Sequence, residues 1–127
     1  MNFIPVRLEE ASGALILHIS GGIVLPVPAA RTERYKPFVG RQGLLLGLRP
    51  EHITETTASM EPGVAPFEIR LDVIEPMGNE TLVYFSIDKD TMCGRVNPNA
   101  GAADGQPMRL AANLNHMHLI DPGGAVL

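Results

Sequence analysis

The segment "FEIRLDVI", residues 67–74, alternates apolar and polar side chains. Apolar residues occupy the odd positions from Phe67 to Val73, and charged residues occupy the even positions between them. Because successive side chains of a strand point to opposite faces of a sheet, this period of two predicts a strand with one buried face. The next strand-like run follows Gly78-Asn79, a pair that tolerates the positive φ of a two-residue hairpin turn. The chain is thereby directed toward antiparallel β-structure.

Seven further short runs have strand-like composition, and no segment keeps the i, i+3, i+4 spacing of an amphipathic helix over three turns. The best helical candidate is a single turn at 50–53, where Pro50 suits a first helical position. Pro26 and Pro28 indicate that their run forms an edge strand. We therefore predict an all-β sandwich or barrel of eight or nine short strands with at most one helical turn. The seven further runs are 3–10, 13–20, 22–28, 43–49, 91–97, 106–113 and 116–121, with surface loops predicted at 54–66 and 97–107.

The size and charge of the chain limit the classes of function it can have. A chain of 127 residues suits one domain with one core. The net charge of −4, with few and scattered basic residues, argues against nucleic-acid binding. No apolar run approaches the roughly 20 residues of a membrane-spanning helix, and no signal peptide is apparent. We therefore expect a soluble cytoplasmic protein. The lone Cys93 fits a small strand residue better than a nucleophile.

The stretch "GLLLGLRPEHI", residues 43–53, ends an apolar run with charged groups around a proline. Three interpretations of this corner are open. Glu51 and His52 could form an acid–base pair, although the chain offers no partner nucleophile. Arg49 and free backbone N–H groups could bind an anion. The favoured interpretation is structural: the side chain of Arg49 or Glu51 bonds to loop backbone where the strand ends.

The sequence motifs of common enzymes are missing: no GxxxxGK[ST], GxSxG or HExxH is present. A metal site is conceivable at "NHMH", because His116 and His118 would point the same way in a strand. Further ligands would then have to come from His18, His52 or Asp121. The alternative, which we favour, is two histidines on a partly exposed strand face.

Four segments in order, "GLRPEHI", "VIEPMGNETLVYF", "DGQPMRL" and "NHMHLIDPGGAVL", resemble one domain type. This is the C-terminal regulatory domain of the ATP-binding subunits of maltose-type sugar importers, a group that includes glycerol-phosphate importers. It is called the transport-associated OB-fold, or TOBE, domain. The opening "MNFIPVRL" resembles the segment where that domain begins, so the resemblance covers 1–127 as a single domain. It implies an OB-fold-like barrel.

The resemblance also implies which residues matter. We expect the matching positions to mark the fold and its interfaces, with no catalytic, cofactor-binding or metal-binding role. The corner at 49–52 would then end a strand near a domain or subunit interface. The matching positions are Arg49, Pro50, Glu51, His52, Gly78, Glu80, His118 and Asp121.

The resemblance implies a non-catalytic domain that stabilises the dimer of an importer ATPase on the inner face of the membrane. Its partners would be a second copy of the subunit, the ATPase domain of its own chain and, indirectly, the permease subunits. ATP and magnesium would bind that ATPase domain, which is not among these residues, and the chain itself would need no cofactor. A different class of function stays open: related OB-type domains hold oxyanions such as molybdate, so the chain could be a small ligand-binding module.

Overall fold

A computed structural model describes all 127 residues and contains eleven strands with short helical turns. The helical turns are α1 (Thr32–Tyr35), flanked by the 3-10 turns Ala29–Arg31 and Lys36–Phe38, and two further 3-10 turns at Pro50–His52 and Leu114–His116. The strands are β1 (Asn2–Ala11), β2 (Ala14–Ile19), β3 (Ile23–Pro26), β4 (Leu44–Leu48), β5 (Ile53–Glu55), β6 (Val64–Arg70), β7 (Val73–Pro76), β8 (Thr81–Ile87), β9 (Asp90–Val96), β10 (Pro107–Asn113) and β11 (His118–Ile120).

The strands form three antiparallel sheets, ordered β11-β4-β1-β2-β3, β5-β10-β6 and β7-β8-β9. One cluster of 26 buried residues fills the space between them. Period-two alternation explains how the first sheet contributes: Ile4, Val6 and Leu8 of β1 are buried, and the residues between them are not. The predicted all-β, OB-fold-like architecture is confirmed.

The strand count is higher than predicted, for two physical reasons. Ile53–Glu55 forms the short strand β5 across the start of the loop predicted at 54–66. The predicted strand 67–74 is split, because the chain leaves one sheet and joins another near Leu71: the Leu71 N–H donates to Gln106, whereas the Asp72 N–H donates to Tyr84 on β8. This change of sheet also reverses the alternation, so Val73 is 52% exposed although it was predicted to be buried.

The hairpin predicted at Gly78-Asn79 is present with a longer loop. The pair Pro76–Thr81 closes it, so four residues connect β7 and β8. Gly78 has a φ of 92°, a left-handed conformation that favours glycine. The predicted edge strand is also confirmed, since β3, which contains Pro26, ends the five-stranded sheet.

The expectation of at most one helical turn is wrong for residues 29–38, where three short helical turns follow one another. Each turn is too short to show helical periodicity, and tertiary contacts stabilise the three turns. Tyr35 is fully buried, and its hydroxyl accepts a hydrogen bond from Arg31 at 3.1 Å. Arg34 donates to the carbonyl oxygen of Leu127 at 2.6 Å.

Asn2 links β1 to β9 through two hydrogen bonds. Its side-chain amide donates to the Cys93 carbonyl and accepts from the Cys93 N–H, both at 2.8 Å. Asn2 is buried, so these bonds satisfy polar groups that water does not reach. Separately, none of the helical segments has the length and apolar character needed to cross a membrane.

Candidate functional site

The corner Arg49–His52 lies where β4 ends and β5 begins. Arg49 is extended, and Pro50 then opens a 3-10 turn in which the His52 N–H donates to the Arg49 carbonyl at 2.9 Å. The turn is seated directly on β9. A Cβ added at Gly94 would lie only 2.8 Å from the Ile53 carbonyl oxygen, so glycine permits the close approach. The single helical turn predicted here is confirmed.

The expected bonds from this corner to loop backbone are absent. The side chains of Arg49 and Glu51 are exposed and make no hydrogen bond or ion pair within the protein. The corner is held by its backbone turn and by packing on Gly94. Its charged side chains are therefore free to contact something else.

Those side chains line an open cleft of about 360 Å³, here called the polar cleft. Its walls come from three separate parts of the chain: the first 3-10 turn, the corner, and the segment that joins β10 to β11. Arg31 crosses between two of them, because it donates to the Asn115 carbonyl at 2.7 Å. No apolar residue lines the cleft, whose residues are Arg31, Arg49, Glu51, His52, Asn115, His116 and His118.

Two histidines stack face to face in the polar cleft. The rings of His52 and His116 lie 4.1 Å apart between centroids and 3° from parallel. Burial lowers the pKa of His52 from its ordinary value of 6.5, and His116 lowers it further through charge repulsion. Glu51 acts in the opposite direction, whereas Arg49 and His118 add to the lowering. The Nδ1 atom of His52 is buried without a hydrogen-bond partner.

The shared strand face on which the metal hypothesis was based is not present. His116 lies in a 3-10 turn and His118 begins β11, so the two side chains do not share a strand face. No group of three or more His, Cys, Asp or Glu residues is arranged to hold a metal ion. A nucleophilic role is also disfavoured for Cys93, since burial raises the pKa of its thiol.

The other motif positions lie outside the cleft. Gly78 and Glu80 belong to the β7–β8 turn, where the Met77 N–H donates to the Glu80 carbonyl at 2.8 Å and Glu80 lies 3.9 Å from Arg95. Asp121 holds the turn after β11. Its Oδ1 atom accepts from the N–H groups of Gly123 at 3.0 Å and Ala125 at 2.9 Å.

A second surface, here called the apolar face, lies on the outer side of the five-stranded sheet. The register brings Phe3 of β1 opposite Gly47 of β4, and Gly47 opposite His118 of β11. Half of the Phe3 side chain is exposed, as are large parts of Met1 and Val126. His118 lines both this face and the polar cleft. The apolar face consists of Met1, Phe3, Leu45, Ile120 and Val126.

Sequence reasoning missed Arg31 and Asn115 as cleft residues. Arg31 precedes the corner by 18 positions and belongs to no recognisable motif, whereas Asn115 opens the "NHMH" motif but was not predicted as a site residue. They reach the cleft through tertiary contacts: the amide of Asn115 donates to the Pro62 carbonyl at 2.9 Å, while Arg31 bonds to Tyr35. No local sequence pattern predicts that Arg31 and Asn115 meet in this cleft.

Three small antiparallel sheets around one core, with the Arg-Pro-Glu-His corner at a strand end and an Asp-held closing turn, define an OB-like domain of the transport-associated class. A family model described as "TOBE domain" matches residues 46–120, and one described as "MalK OB fold domain" matches residues 1–53. The chain belongs to the TOBE domain family.

The curated relatives are import or transport ATP-binding proteins. The sn-glycerol-3-phosphate import ATP-binding protein UgpC of Chromohalobacter salexigens is 33% identical, over 98% of this chain and 31% of that protein. The sulfoquinovosyl glycerol transport ATP-binding protein SmoE of Agrobacterium fabrum is 30% identical, over 95% of this chain and 31% of that protein. The chain thus spans about a third of the length of these relatives.

Among solved structures, the chain resembles the cytoplasmic molybdate-binding protein ModG in a crystal form with molybdate bound. The TM-score is 0.60 at 12% identity, and the match covers 94% of this chain and 93% of that one. At this identity the likeness shows the fold alone.

Proposed function

We propose that residues 1–127 form a single non-catalytic regulatory domain that stabilises the dimer of an importer's ATP-binding subunit. The relatives support this proposal, because each is named as an import or transport ATP-binding protein and contains this region as about a third of its length. The subunit would act on the cytoplasmic side of the membrane with permease subunits, in the uptake of a sugar or related solute. ATP and magnesium would bind its ATPase domain.

The apolar face is the observation that supports the proposed dimer. Met1, Phe3 and Val126 are 48%, 49% and 61% exposed and lie on one side of one sheet. Clustered large apolar side chains are uncommon on the free surface of a monomer and mark contact surfaces. A second copy would bring the same face, and a two-fold contact between identical faces closes without growing further. Without the ATPase domain, we expect a weak contact below about 1,200 Å² of total buried area.

Light scattering tests the dimer over a concentration range from micromolar to near-millimolar. The molar mass should rise from 13.7 kDa toward twice that value as the concentration increases. Phe3→Ser should hold the protein closer to the monomer mass. Val73→Ser is the matched control, because Val73 is similarly exposed at 52% but lies outside the face. A monomer mass throughout, or equal loss in both variants, would contradict a dimer through the apolar face.

The proposal also requires that the chain alone binds no nucleotide. It has no loop that could cradle phosphates in the manner of nucleotide-binding domains and no magnesium-holding acid beside one. Calorimetric titration with ATP and magnesium should therefore give no saturable heat. Binding that depends on magnesium would show that the chain has an ATPase-type site and would overturn the assignment as a regulatory domain.

A further inference from the structure

His118 is the one side chain with a titratable group that lines the apolar face. Leu119 beside it is fully buried, so the alternation of β11 puts His118 and Ile120 on the outer side of the sheet. A Cβ added at Gly47, the partner of His118 on β4, would lie 3.5 Å from the His118 Cβ and 3.0 Å from Met1 Sδ. The imidazole therefore belongs to the surface that a second copy would cover.

The charged groups that face His118 are mostly positive. The polar cleft contributes one carboxylate among arginines and further histidines. β4 has no titratable side chain, and the start of β1 adds only the amino group of Met1. The carboxylate of Asp121, after β11, already accepts two backbone N–H groups of the closing turn. The cleft groups are Arg31, Arg49, Glu51, His52 and His116.

A protonated His118 would therefore have no counter-charge of its own. Its side chain forms no ion pair within the protein, whereas His18 lies 3.0 Å from Glu9. A neutral imidazole can be buried against apolar groups at modest cost, but an unpaired imidazolium loses its hydration without compensation. Imidazoles gain this charge in the range between pH 8 and pH 5. The apolar face thus changes from uncharged to charged within that range.

We propose that His118 makes the contact between two apolar faces sensitive to acid: copies with the neutral ring associate, and copies with the protonated ring separate. The inference rests on the proposed dimer and concerns the regulation of that same surface. A two-fold contact contains the same side chain from both copies, so each dimer would bury His118 twice. Because the dimer binds fewer protons than two monomers, association is favoured at higher pH and is lost as the pH falls. With two protons taken up, the dissociation constant rises by up to about 100-fold per pH unit.

Sedimentation equilibrium at about pH 8 and about pH 5.5, at matched ionic strength, tests this switch. The dissociation constant of the dimer should be at least about tenfold larger at the lower pH. Circular dichroism of the same samples should show an unchanged folded spectrum. Loss of that spectrum together with the dimer would overturn the proposal, because unfolding would then explain the dissociation.

Two substitutions at His118 give opposite expectations. His118→Gln keeps a polar but uncharged side chain, so the dimer should persist at the lower pH. His118→Arg fixes a positive charge on the face, so the protein should be close to the monomer mass even at pH 8. His116→Gln is the matched control, because it removes a histidine of the polar cleft that does not line the apolar face, and it should keep the response to pH.

The outcomes separate this inference from the proposed dimer. A dimer at pH 8 with the same dissociation constant at pH 5.5 would overturn the switch and leave the dimer standing. A response to pH that survives His118→Gln, or that is lost equally in His116→Gln, would assign the effect to other groups and would also overturn it. A monomer mass of the parent protein at pH 8 up to near-millimolar concentration would overturn the dimer and the switch together.

Discussion

The apolar face and the polar cleft meet at His118 yet differ in how they are built. The face lies mainly on three paired strands, where backbone register places the side chains: Phe3, Gly47 and His118 form one row across the sheet. The cleft is assembled from turns that are distant in the sequence and joined by bonds such as Arg31 to Asn115. A strand face follows from local periodicity, whereas a cleft between turns depends on the complete fold.

The two surfaces also suit different partners. The face offers half-exposed apolar side chains, which gain by excluding water against another surface. The cleft offers unpaired charge, which gains from an opposite charge and loses by burial against apolar groups. We therefore expect substitutions at the two surfaces to have separable effects.

The largest difference in stability should come from replacing a glycine with alanine beside each surface. Gly94→Ala would place a Cβ 2.8 Å from the Ile53 carbonyl oxygen and 2.9 Å from its Cγ2, so the corner or β9 must shift. We expect the free energy of unfolding to fall by about 1–3 kcal/mol. Gly47→Ala meets only side-chain atoms, Met1 Sδ at 3.0 Å and Ile120 Cδ1 at 3.2 Å, so we expect a smaller loss of unfolding free energy than for Gly94→Ala.

Urea unfolding of both glycine variants checks this prediction. The corner should be perturbed only in the Gly94 variant, which the histidine ring resonances of the polar cleft would report. Equal stabilities for the two variants would mean that the corner does not depend on its close packing against Gly94.

The next largest effect concerns the turn that carries Val126 onto the apolar face. Asp121→Ala removes two hydrogen bonds to backbone N–H groups of the closing turn, and we expect a loss of about 1–2 kcal/mol. Asp121→Asn keeps one side-chain oxygen as an acceptor and should lose less. Thermal melts of the two variants provide the measurement. A melt of Asp121→Ala equal to that of the parent would show that this turn is not held by the carboxylate.

A smaller effect should appear with pH. The pKa of His52 is lowered in the folded protein, so the unfolded chain takes up the proton more readily near its ordinary value of 6.5. Stability present above 6.5 should therefore be lost as the pH falls through 6.5 toward the folded pKa. Urea midpoints in phosphate-free buffer should decline over this range, and His52→Gln should flatten the decline. An unchanged slope in that variant would assign the effect to other groups.

The smallest effect on stability is expected at Arg49, the arginine of the corner. The side chain of Arg49 forms no hydrogen bond or ion pair within the protein, so Arg49→Ala should change the free energy of unfolding by less than about 0.5 kcal/mol. The sequence alone favoured a structural bond and would predict a larger loss. A melt lowered by several degrees would restore that interpretation.

Much of the fold could be predicted because it rests on local rules. Strand-like runs predicted most of the strands, Gly78-Asn79 predicted the hairpin between β7 and β8, and proline marked β3 as an edge. The failures are non-local. The change of sheet near Leu71 left Val73 exposed although it was predicted to be buried. Burial of Tyr35 stabilised helical turns that the sequence periodicity does not predict. His116 and His118 were placed on one strand, but the chain turns between them.

The candidate site was predicted in part, by the same logic. The corner at Arg49–His52 was recognisable because a motif carries it. Arg31 was not, because no motif contains it and its place in the cleft depends on contacts with Tyr35 and Asn115. In such a domain, a sequence motif predicts some residues of a site, and the others can be identified only from the tertiary structure.

The separation of the two surfaces is tested most directly by following the backbone amide shifts of one labelled sample through dilution. Dilution should move the amides of Phe3, Leu45 and Ile120, and it should leave those of Arg49 and Glu51 unchanged. His118, which lines both surfaces, should move with the apolar face. Amides of the polar cleft moving together with those of the face, or none moving on dilution, would contradict an apolar face for a second copy that is separate from the polar cleft.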